Sequence, residues 1–480
     1  MNAAPGCRAA PETVFDVAVI GAGVVGAAIA RDLLAHELTV ALLDANDDVG
    51  AGTSKANTAI LHTGFDATPG TLESRLVRRG HRLLRDYAGV TGIPVERTGA
   101  LVVAWTQDEW HTLPALAAKA SANGYHECEI VDADEVYRQV PALGAGALGG
   151  LTVPDESITC TWTATLALAT DSRARGAELL LNHRVVGVDT AAGDGVTALR
   201  TSRGDVRARY VINAAGLGCD LIDAMFGYHR FTITPRRGEL LVFDKLARPL
   251  VDRIVLPVPS KLGKGVLVSP TVYGNVMLGP TAEDLDDRTA TGTSAAGLAF
   301  LLAKGEQLLP RLVREEVTAG YAGLRAAVDV GDYLIEADPA ARYLLVGGIR
   351  STGLTSAMAV AEHVTGLLRD TGLALVPRAG LPPPPVMANI GEAFLRPYQD
   401  GERIAADPAY GSIVCFCERV TAGEIRDTFS TPIPPPGLDG LRRRTRAMNG
   451  RCQGFFCGAE VAAMLERRSR ADTDPGVMPA

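Results

Sequence analysis

The sequence predicts a mixed α/β protein whose first domain contains a Rossmann-type strand–helix–strand unit. The apolar run Phe15–Ile20 has the length of a buried strand and is followed by an alanine-rich helical stretch. A second apolar run, Thr39–Leu43, follows that helix. Abundant glycine and alanine-rich helices favour the α/β class over a disulfide scaffold or a fibre.

Size and composition narrow the classes of protein that this chain can be. Its 480 residues suffice for two or three domains, and its net charge of -8 argues against a nucleic-acid binder. No stretch approaches about 18 uninterrupted apolar residues, so we expect no membrane span. The segment Met1–Pro11 lacks the apolar core of a secretory signal. We therefore expect a cytoplasmic location, with peripheral attachment to the inner face of the cell membrane through a partner as the alternative.

The turn after the first strand predicts a dinucleotide site. Gly21, Gly23 and Gly26 form a G-x-G-x-x-G pattern, and Asp44 ends the next strand. In such a turn the first glycine permits the tight bend, the second admits the pyrophosphate and the third lets helix and strand pack closely. Asp44 can accept a hydrogen bond from a ribose 2′-OH and would repel a 2′-phosphate, which disfavours NADP. The alternative is a tight turn that binds no ligand.

Two later segments favour FAD over NAD. The loop between Gly52 and Gly64 supplies hydroxyls, amides and bare backbone, which suit a pyrophosphate and an isoalloxazine ring. The segment Gly348–Thr355 follows a buried strand and begins a helix. The positive end of that helix would stabilise a reduced, anionic flavin. The predicted FAD contacts in these segments include Asn57, Gly353 and Thr355.

A second cofactor site is predicted near the C-terminus. Cys415 and Cys417 form C-x-C, and after a gap of 34 residues Cys452 and Cys457 form C-x4-C. Thiolates are soft ligands that suit iron–sulfur clusters or zinc. Zinc sites usually begin with a wider C-x2–4-C spacing, so the cluster is favoured and zinc remains the alternative. A disulfide is disfavoured in a reducing compartment.

Several arginines surround the second cysteine pair: Arg442, Arg443, Arg444, Arg446 and Arg451. Guanidinium groups there can offset the negative charge of a thiolate-ligated cluster. The alternative interpretation is a solvated charged face.

These motifs resemble two known families. From about Asp16 to Leu368 the chain is similar to the flavin-dependent glycerol-3-phosphate dehydrogenases of the D-amino-acid oxidase-like superfamily. The matching segments are Gly21–Gly26 with Asp44, Gly52–Ser54, Leu61–Gly64, Ile212–Gly216, Tyr321–Arg325 and Gly347–Thr355. The resemblance implies further contacts with FAD, at Thr53, Ser54, Val185, Gly216, Gly348 and Leu354. Val414–Val420 and Arg443–Gly458 resemble the bacterioferritin-associated ferredoxin-like [2Fe–2S] domain, which implies that the four cysteines hold such a cluster.

The resemblance implies a Rossmann-like FAD-binding domain, an inserted β-rich substrate domain and a small, helical iron–sulfur domain. We assign residues 14–75, 150–228 and 318–375 to the first, and 76–149 and 229–317 to the second. A Pro-rich linker is predicted over 376–409, the [2Fe–2S] domain over 410–468 and a flexible tail over 469–480.

Three residues are the main candidates for catalysis. His62 lies in the flavin-side loop and could take the proton of a substrate hydroxyl while the flavin takes the hydride. Arg325 and Arg350 could each clamp a phosphate or carboxylate. A loop-stabilising histidine and structural ion pairs are the alternatives. Arg237 and Glu239 are weaker candidates.

A flavin and a one-electron cluster in one chain predict a dehydrogenase that passes electrons to a partner protein, a membrane subunit or the quinone pool. The family usually has an arginine where this chain has Phe65-Asp66-Ala67, and a lysine in place of Arg350. These departures leave open a 2-hydroxy acid such as 2-hydroxyglutarate, another polyol phosphate or an amino acid as substrate. The other hypotheses are an amino-acid oxidase with structural zinc and a redox protein without catalytic activity of its own.

Overall fold

The computed structural model describes residues 13–190, 195–259 and 265–473. Residues 1–11, from which we predicted that there is no secretory signal, lie outside the described residues. Residues 474–480, the end of the predicted tail, also lie outside them. The strands, in chain order, are β1 (Val14–Ile20), β2 (Val40–Leu43), β3 (Ile60–Leu61), β4 (Val95–Glu96), β5 (Ala100–Ala104), β6 (Glu129–Asp132), β7 (Gly149–Val153), β8 (Ser157–Thr159), β9 (Glu178–Leu180), β10 (Val185–Thr190), β11 (Thr197–Thr201), β12 (Gly204–Asn213), β13 (Thr234–Phe243), β14 (Ile254–Pro257), β15 (Leu267–Pro270), β16 (Val276–Gly279), β17 (Glu283–Asp284), β18 (Val317–Ala327), β19 (Leu334–Asp338), β20 (Tyr343–Gly347), β21 (Ile413–Cys415) and β22 (Val420–Thr421). The helices are α1 (Val24–Leu33), α2 (Leu72–Thr91), α3 (Gln107–Ala122), α4 (Ala133–Gln139), α5 (Thr161–Ala174), α6 (Cys219–Met225), α7 (Ala295–Leu308), α8 (Gly353–Asp370), α9 (Gly401–Ala406), α10 (Ala422–Thr428), α11 (Leu438–Thr445) and α12 (Gly458–Thr473).

The first sheet has the parallel order β9-β2-β1-β12-β20, which confirms the predicted Rossmann-like arrangement. Its central strands are continuous apolar runs because helices cover the sheet. Helices α1, α5 and α8 contribute to one large apolar core with β1 and β2. In this arrangement the loops after β1 and β2 share the carboxyl edge of the sheet, where ligands bind in doubly wound folds.

The second sheet has nine strands and forms the β-rich domain. Its order is β17-β13-β16-β15-β14-β5-β7-β6, and β18 pairs with β13. The antiparallel pairing of β13 and β18 runs from Thr234 opposite Ala327 to Phe243 opposite Val317. Most of β18 and of β7 lies in segments assigned to the FAD-binding domain, whereas both strands are hydrogen-bonded into this second sheet.

The predicted linker, 376–409, is attached along its length and is not a free spacer. The Met387 N–H donates to the Thr91 carbonyl, and the Glu392 N–H donates to the Val272 carbonyl, both at 2.8 Å. Ile390 and Arg396 are almost fully buried. The segment also contains the short helix α9. Its prolines indicated irregular backbone correctly, but its buried contacts fix it to the other domains.

The C-terminal domain is small and mainly helical, as predicted. A hairpin of β21 and β22 packs with α10, α11 and α12 around a core that includes Val414, Ile425, Leu441 and Val461. The predicted flexible tail begins inside α12, which continues to Thr473. Among the described residues, no helix is long and apolar enough to cross a bilayer.

Candidate functional site

A single cavity of about 2460 Å³ runs along the carboxyl edge of the first sheet and continues between the domains. All but two of the residues predicted to bind FAD or to act in catalysis line it: Gly21, Gly23, Gly26, Asp44, Thr53, Ser54, Asn57, His62, Val185, Gly216, Arg325, Arg350, Gly353 and Leu354. The structure therefore brings together residues that are far apart in the sequence.

The glycine turn has the geometry that a pyrophosphate needs. Gly21 has φ +108°, which favours glycine, and a Cβ on Gly26 would lie 1.8 Å from the Gly21 carbonyl oxygen. Gly23 lines the cavity, and its N–H has no hydrogen-bond partner among the described residues. A bound phosphate can accept from this N–H at the start of α1.

Asp44 connects the glycine turn to the end of β2. Its Oδ2 accepts from the Ala22 N–H at 2.8 Å, and its Oδ1 accepts from the backbone and side chain of Asn46. Burial raises the pKa of Asp44, and these hydrogen bonds partly oppose that rise. A carboxylate accepts about four hydrogen bonds, so one position on Oδ2 remains for a ribose hydroxyl.

The two other predicted FAD segments meet at the same cavity. The Ser54 Oγ accepts from the Val24 N–H at 3.0 Å, and the Asn57 side chain donates to the Ser54 carbonyl. Helix α8 begins after Thr352, with no side chain capping its first N–H groups. Because Gly353 and Leu354 line the cavity, the positive end of α8 faces it.

Gly348 and Thr355 do not line this cavity. Gly348 has φ +67°, and a Cβ there would lie 3.0 Å from the Leu334 backbone nitrogen, so it serves a turn against β19. Thr355 is buried, and its hydroxyl accepts from the His62 N–H at 3.0 Å. Both residues therefore support the wall of the cavity without lining it, because they contact other protein groups, near Leu334 and at His62.

His62 is held by a buried carboxylate that no sequence motif indicated. Its Nδ1 lies 3.0 Å from Oε2 of Glu156, which is fully buried. The other oxygen of Glu156 accepts from the backbone and hydroxyl of Thr63. Because Thr63 supplies both donors to that oxygen, Glu156 is oriented to accept the proton on Nδ1, which leaves Nε2 as the basic ring nitrogen.

The three candidate arginines have different surroundings. Arg325 is partly buried, lines the cavity and donates to the Thr281 carbonyl at 2.9 Å. Burial, and secondarily the nearby charge of Arg236, lowers the pKa of Arg325. No carboxylate lies within 4.0 Å of it in the described part of the chain. An anionic ligand would therefore relieve a desolvated positive charge.

Arg350 and Arg237 are instead engaged in ion pairs, the alternative that the sequence left open. Arg350 lies 2.5 Å from Glu73, which also accepts from the Thr352 hydroxyl. Arg237 pairs with Glu283, and Glu239 accepts from the Ser294 N–H. These contacts hold loops and strands together and leave Arg325 as the arginine whose charge is free for a ligand.

The four predicted cysteines converge in the C-terminal domain. The thiols of Cys415 and Cys457 are within hydrogen-bonding reach of each other, and those of Cys417 and Cys452 form a second such pair. Backbone N–H groups of the loop, chiefly that of Phe456, lower the pKa of Cys452, whereas burial raises that of Cys457 to about 12. Among the described residues no three His, Cys, Asp or Glu side chains surround a single-ion site. A binuclear cluster divides four thiolates between two irons and can be stabilised by hydrogen bonds to the sulfurs.

Three of the five arginines near the cysteines are buried, so the interpretation as a solvated face is wrong for most of the run, although Arg451 is exposed. Arg443, Arg444 and Arg446 are all buried. Arg446 lies 3.0 Å from Glu418, the residue after Cys417, and Arg451 lies 2.9 Å from Asp244. The three buried arginines thus carry their charges inward, toward carboxylates of this and other domains.

Comparison with known proteins agrees with these two sites. Residues 16–367 match the family model of FAD-dependent oxidoreductases, and residues 413–467 match that of the BFD-like [2Fe-2S] binding domain. The fold, the glycine turn and the four thiols fit both groups, so the cofactors of this chain are FAD and a [2Fe–2S] cluster. The second match overturns the zinc alternative.

Individual relatives are similar over most of the chain. A glycerol 3-phosphate dehydrogenase of Caloramator mitchellensis is 36% identical over 95% of this chain and 94% of its own. One component of the anaerobic glycerol-3-phosphate dehydrogenase of Escherichia coli (strain K12) is 28% identical over 94% of this chain and 88% of its own. The solved L-alpha-glycerophosphate oxidase of Mycoplasma pneumoniae, with FAD bound, has a TM-score of 0.73 and 26% identity over 77% of this chain and 97% of its own. The chain therefore belongs to the FAD-dependent oxidoreductase family and is an enzyme of the glycerol-3-phosphate dehydrogenase type.

Proposed function

We propose that this enzyme oxidises the secondary alcohol of glycerol 3-phosphate, or of a closely similar small phosphorylated polyol, to a ketone. The observation that carries the proposal is the shared cavity, which is lined by His62, Arg325 and the residues that we call the FAD cradle: Gly21, Gly23, Gly26, Asp44, Thr53 and Ser54. The named activities of the relatives support the same substrate class.

The side chains divide the work between proton transfer and substrate orientation. When bound, FAD supplies the hydride acceptor at its N5. His62 takes the hydroxyl proton at Nε2, because Glu156 holds the proton on Nδ1. Arg325 binds the phosphate of the substrate through its guanidinium and so orients the alcohol carbon. Phe65 is buried and lines the cavity where the family usually has an arginine, so Arg325 carries most of this binding.

We further propose that electrons leave through the [2Fe–2S] cluster, singly, to a partner protein or a quinone pool. Oxidation of the alcohol releases two electrons, and a [2Fe–2S] cluster carries one at a time. A one-electron acceptor must therefore be reduced twice for each substrate molecule. Turnover with a one-electron dye should exceed turnover with O₂, and peroxide formation at the full rate would exclude a dehydrogenase.

The test of the substrate is anaerobic bleaching of the flavin absorbance. We expect bleaching by glycerol 3-phosphate but not by glycerol, with 2-hydroxyglutarate and amino acids as the competing candidates. Arg325→Ala should raise KM for glycerol 3-phosphate by about 10- to 100-fold, as expected for loss of hydrogen bonds to a charged group. Arg350→Ala is the matched control and should change KM by less than about threefold, because its charge is already paired with Glu73. An unchanged KM in Arg325→Ala would remove this residue from the substrate site.

A further inference from the structure

Helix α11 of the iron–sulfur domain is attached to the FAD-binding domain by a buried ion-pair cluster. Asp48, which follows β2, is 1% exposed. Both oxygens of Asp48 accept from the Arg444 guanidinium at 2.8 Å, and Arg443 donates to Oδ2 at 2.6 Å. We call this cluster of Asp48, Arg443 and Arg444 the Asp48 clasp. A bidentate, desolvated pair of this kind holds its partners in a narrow range of geometry.

The clasp lies on the loop that also forms the FAD cradle. Asp48 is four residues after Asp44 and five before Thr53. The adjoining Gly50 N–H donates to the Ala22 carbonyl at 2.9 Å, which ties this loop to the glycine turn. Helix α11 approaches closely here, since a Cβ on Gly440 would lie 3.0 Å from Oδ2 of Asp48. The position of the helix is therefore set directly by the cradle.

The residue that ends α11 reaches the loop of the cysteine ligands. Arg446 ends the helix with φ +74° and pairs with Glu418, the neighbour of Cys417. Its guanidinium also lies 4.1 Å from the ring centre of Tyr273 in the substrate domain. Helix α11 thus connects the FAD loop, through Asp48, to the ligand loop, through Glu418.

We infer that Asp48 is a positioning residue for electron transfer. Through the clasp it holds the [2Fe–2S] cluster at a fixed position and distance relative to the flavin. The inference rests on the proposed function for the source of the electrons. Two electrons enter from the alcohol as hydride, and each leaves singly through the cluster to a one-electron acceptor. Loss of the Asp48 carboxylate would remove the carboxylate partner of the buried Arg444 and leave Arg443 with Asp439, so the helix would be held less tightly against the loop.

The test is Asp48→Asn in the full-length holoenzyme, with Asp47→Asn as the matched control. Asp47 is the adjacent residue and is exposed, so its substitution removes the same charge without touching the clasp. After rapid anaerobic mixing with glycerol 3-phosphate, the flavin-bleaching rate should stay within twofold of the wild type in both variants. The later reduction of the cluster should slow at least tenfold in Asp48→Asn only. The electron paramagnetic resonance signal of the dithionite-reduced cluster should be unchanged, and hydrogen exchange in α11 should rise.

Other results would overturn the inference. An unchanged rate of cluster reduction in Asp48→Asn would show that the clasp only stabilises the fold, and a parallel loss of FAD would place Asp48 in cofactor binding. Should Asp48→Asn fail to fold, Arg443→Gln keeps the bidentate Arg444 pair and should slow cluster reduction by a smaller factor; no slowing there also contradicts the inference. If glycerol 3-phosphate fails to bleach the wild-type flavin, the proposed substrate is wrong, but light-driven reduction of the flavin still tests the transfer step.

Discussion

The two cofactor regions of this enzyme are built in opposite ways. The FAD cradle consists of backbone groups on a parallel sheet, where Gly21 and Gly26 let the chain approach itself closely. The iron–sulfur domain consists of side-chain ligands on short loops. Of the seven non-glycine residues with positive φ in the described residues, four lie in this domain: Arg419, Arg446, Met448 and Gln453. Strained backbone of this kind persists only where surrounding contacts impose it.

The difference also extends to what holds each region in place. The cradle is fixed by continuous apolar packing of β1, β2 and α1. The iron–sulfur domain has a small apolar core and is attached by buried charges, among them Arg396 with Glu424 and Arg444 with Asp48. We therefore expect the cradle to be sensitive to added atoms and the iron–sulfur domain to be sensitive to lost ligands and charges.

The largest effect should follow from one methyl group in the cradle. In Gly26→Ala the new Cβ would lie 1.8 Å from a backbone oxygen that cannot move aside without opening the turn. We expect the purified variant to lack flavin absorbance and to lose all substrate-dependent activity. Overpacking should also lower the free energy of unfolding by about 1–3 kcal/mol.

Gly89→Ala is the control for this substitution. Gly89 lies exposed in α2, and a Cβ there meets no atom within 4 Å. This variant should keep its FAD and gain up to about 1 kcal/mol in stability, because alanine is the better helix former. Full FAD content in Gly26→Ala would show that the cradle tolerates added atoms and that the two regions do not differ in this respect.

The second-largest effect should be loss of the iron–sulfur cluster without loss of the flavin reaction. In Cys457→Ser a buried thiolate is replaced by a hydroxyl, a poor ligand for iron–sulfur clusters. We expect loss of the cluster's visible absorbance and paramagnetic signal, while substrate still bleaches the flavin. Cys128→Ser, which changes a cysteine outside the ligand set, should keep both signals. A cluster that survives in Cys457→Ser would remove this residue from the ligand set.

Local patterns explain how much could be predicted. The glycine turn, Asp44 and the cysteine pairs each lie within short segments whose spacing follows from their chemistry, so the cofactors and the fold class followed from the sequence. The sequence analysis made no prediction for helix α3, which contains Pro114 in its interior, where a proline normally disfavours a helix. Strand β18, which spans the predicted boundary near 318, has the composition of any buried strand, and only its pairing with β13 assigns it to a sheet.

The residues that could not be predicted depend on long-range contacts. Glu156 is 94 positions from His62, and Asp48 is 396 positions from Arg444. Neither carboxylate lies in a recognisable motif. From the sequence alone, a solvated charged residue in a polar loop cannot be distinguished from one that is buried against a partner. Only the fold reveals that these two are buried and paired.

The smallest expected effect concerns Glu156, which combines features of both regions: it is a buried charge, like those around the iron–sulfur domain, but it acts at the flavin-side cavity. In Glu156→Gln the amide has one acceptor oxygen and one NH₂ group, which can only donate. The oxygen that faces Thr63 must accept two hydrogen bonds, which turns the NH₂ group toward Nδ1 of His62. The proton of the ring would then move to Nε2, the nitrogen that should take the substrate proton.

We therefore expect Glu156→Gln to lower kcat by about 10- to 100-fold, part of the loss expected for His62→Asn, because general-base catalysis contributes about 10²–10⁴-fold. KM for glycerol 3-phosphate should change little, since Arg325 remains in place. Glu156→Asp keeps the charge and should recover part of the rate. Equal losses in kcat and in flavin content would instead indicate that Glu156 holds the loop around His62, because removing a purely orienting carboxylate leaves FAD bound.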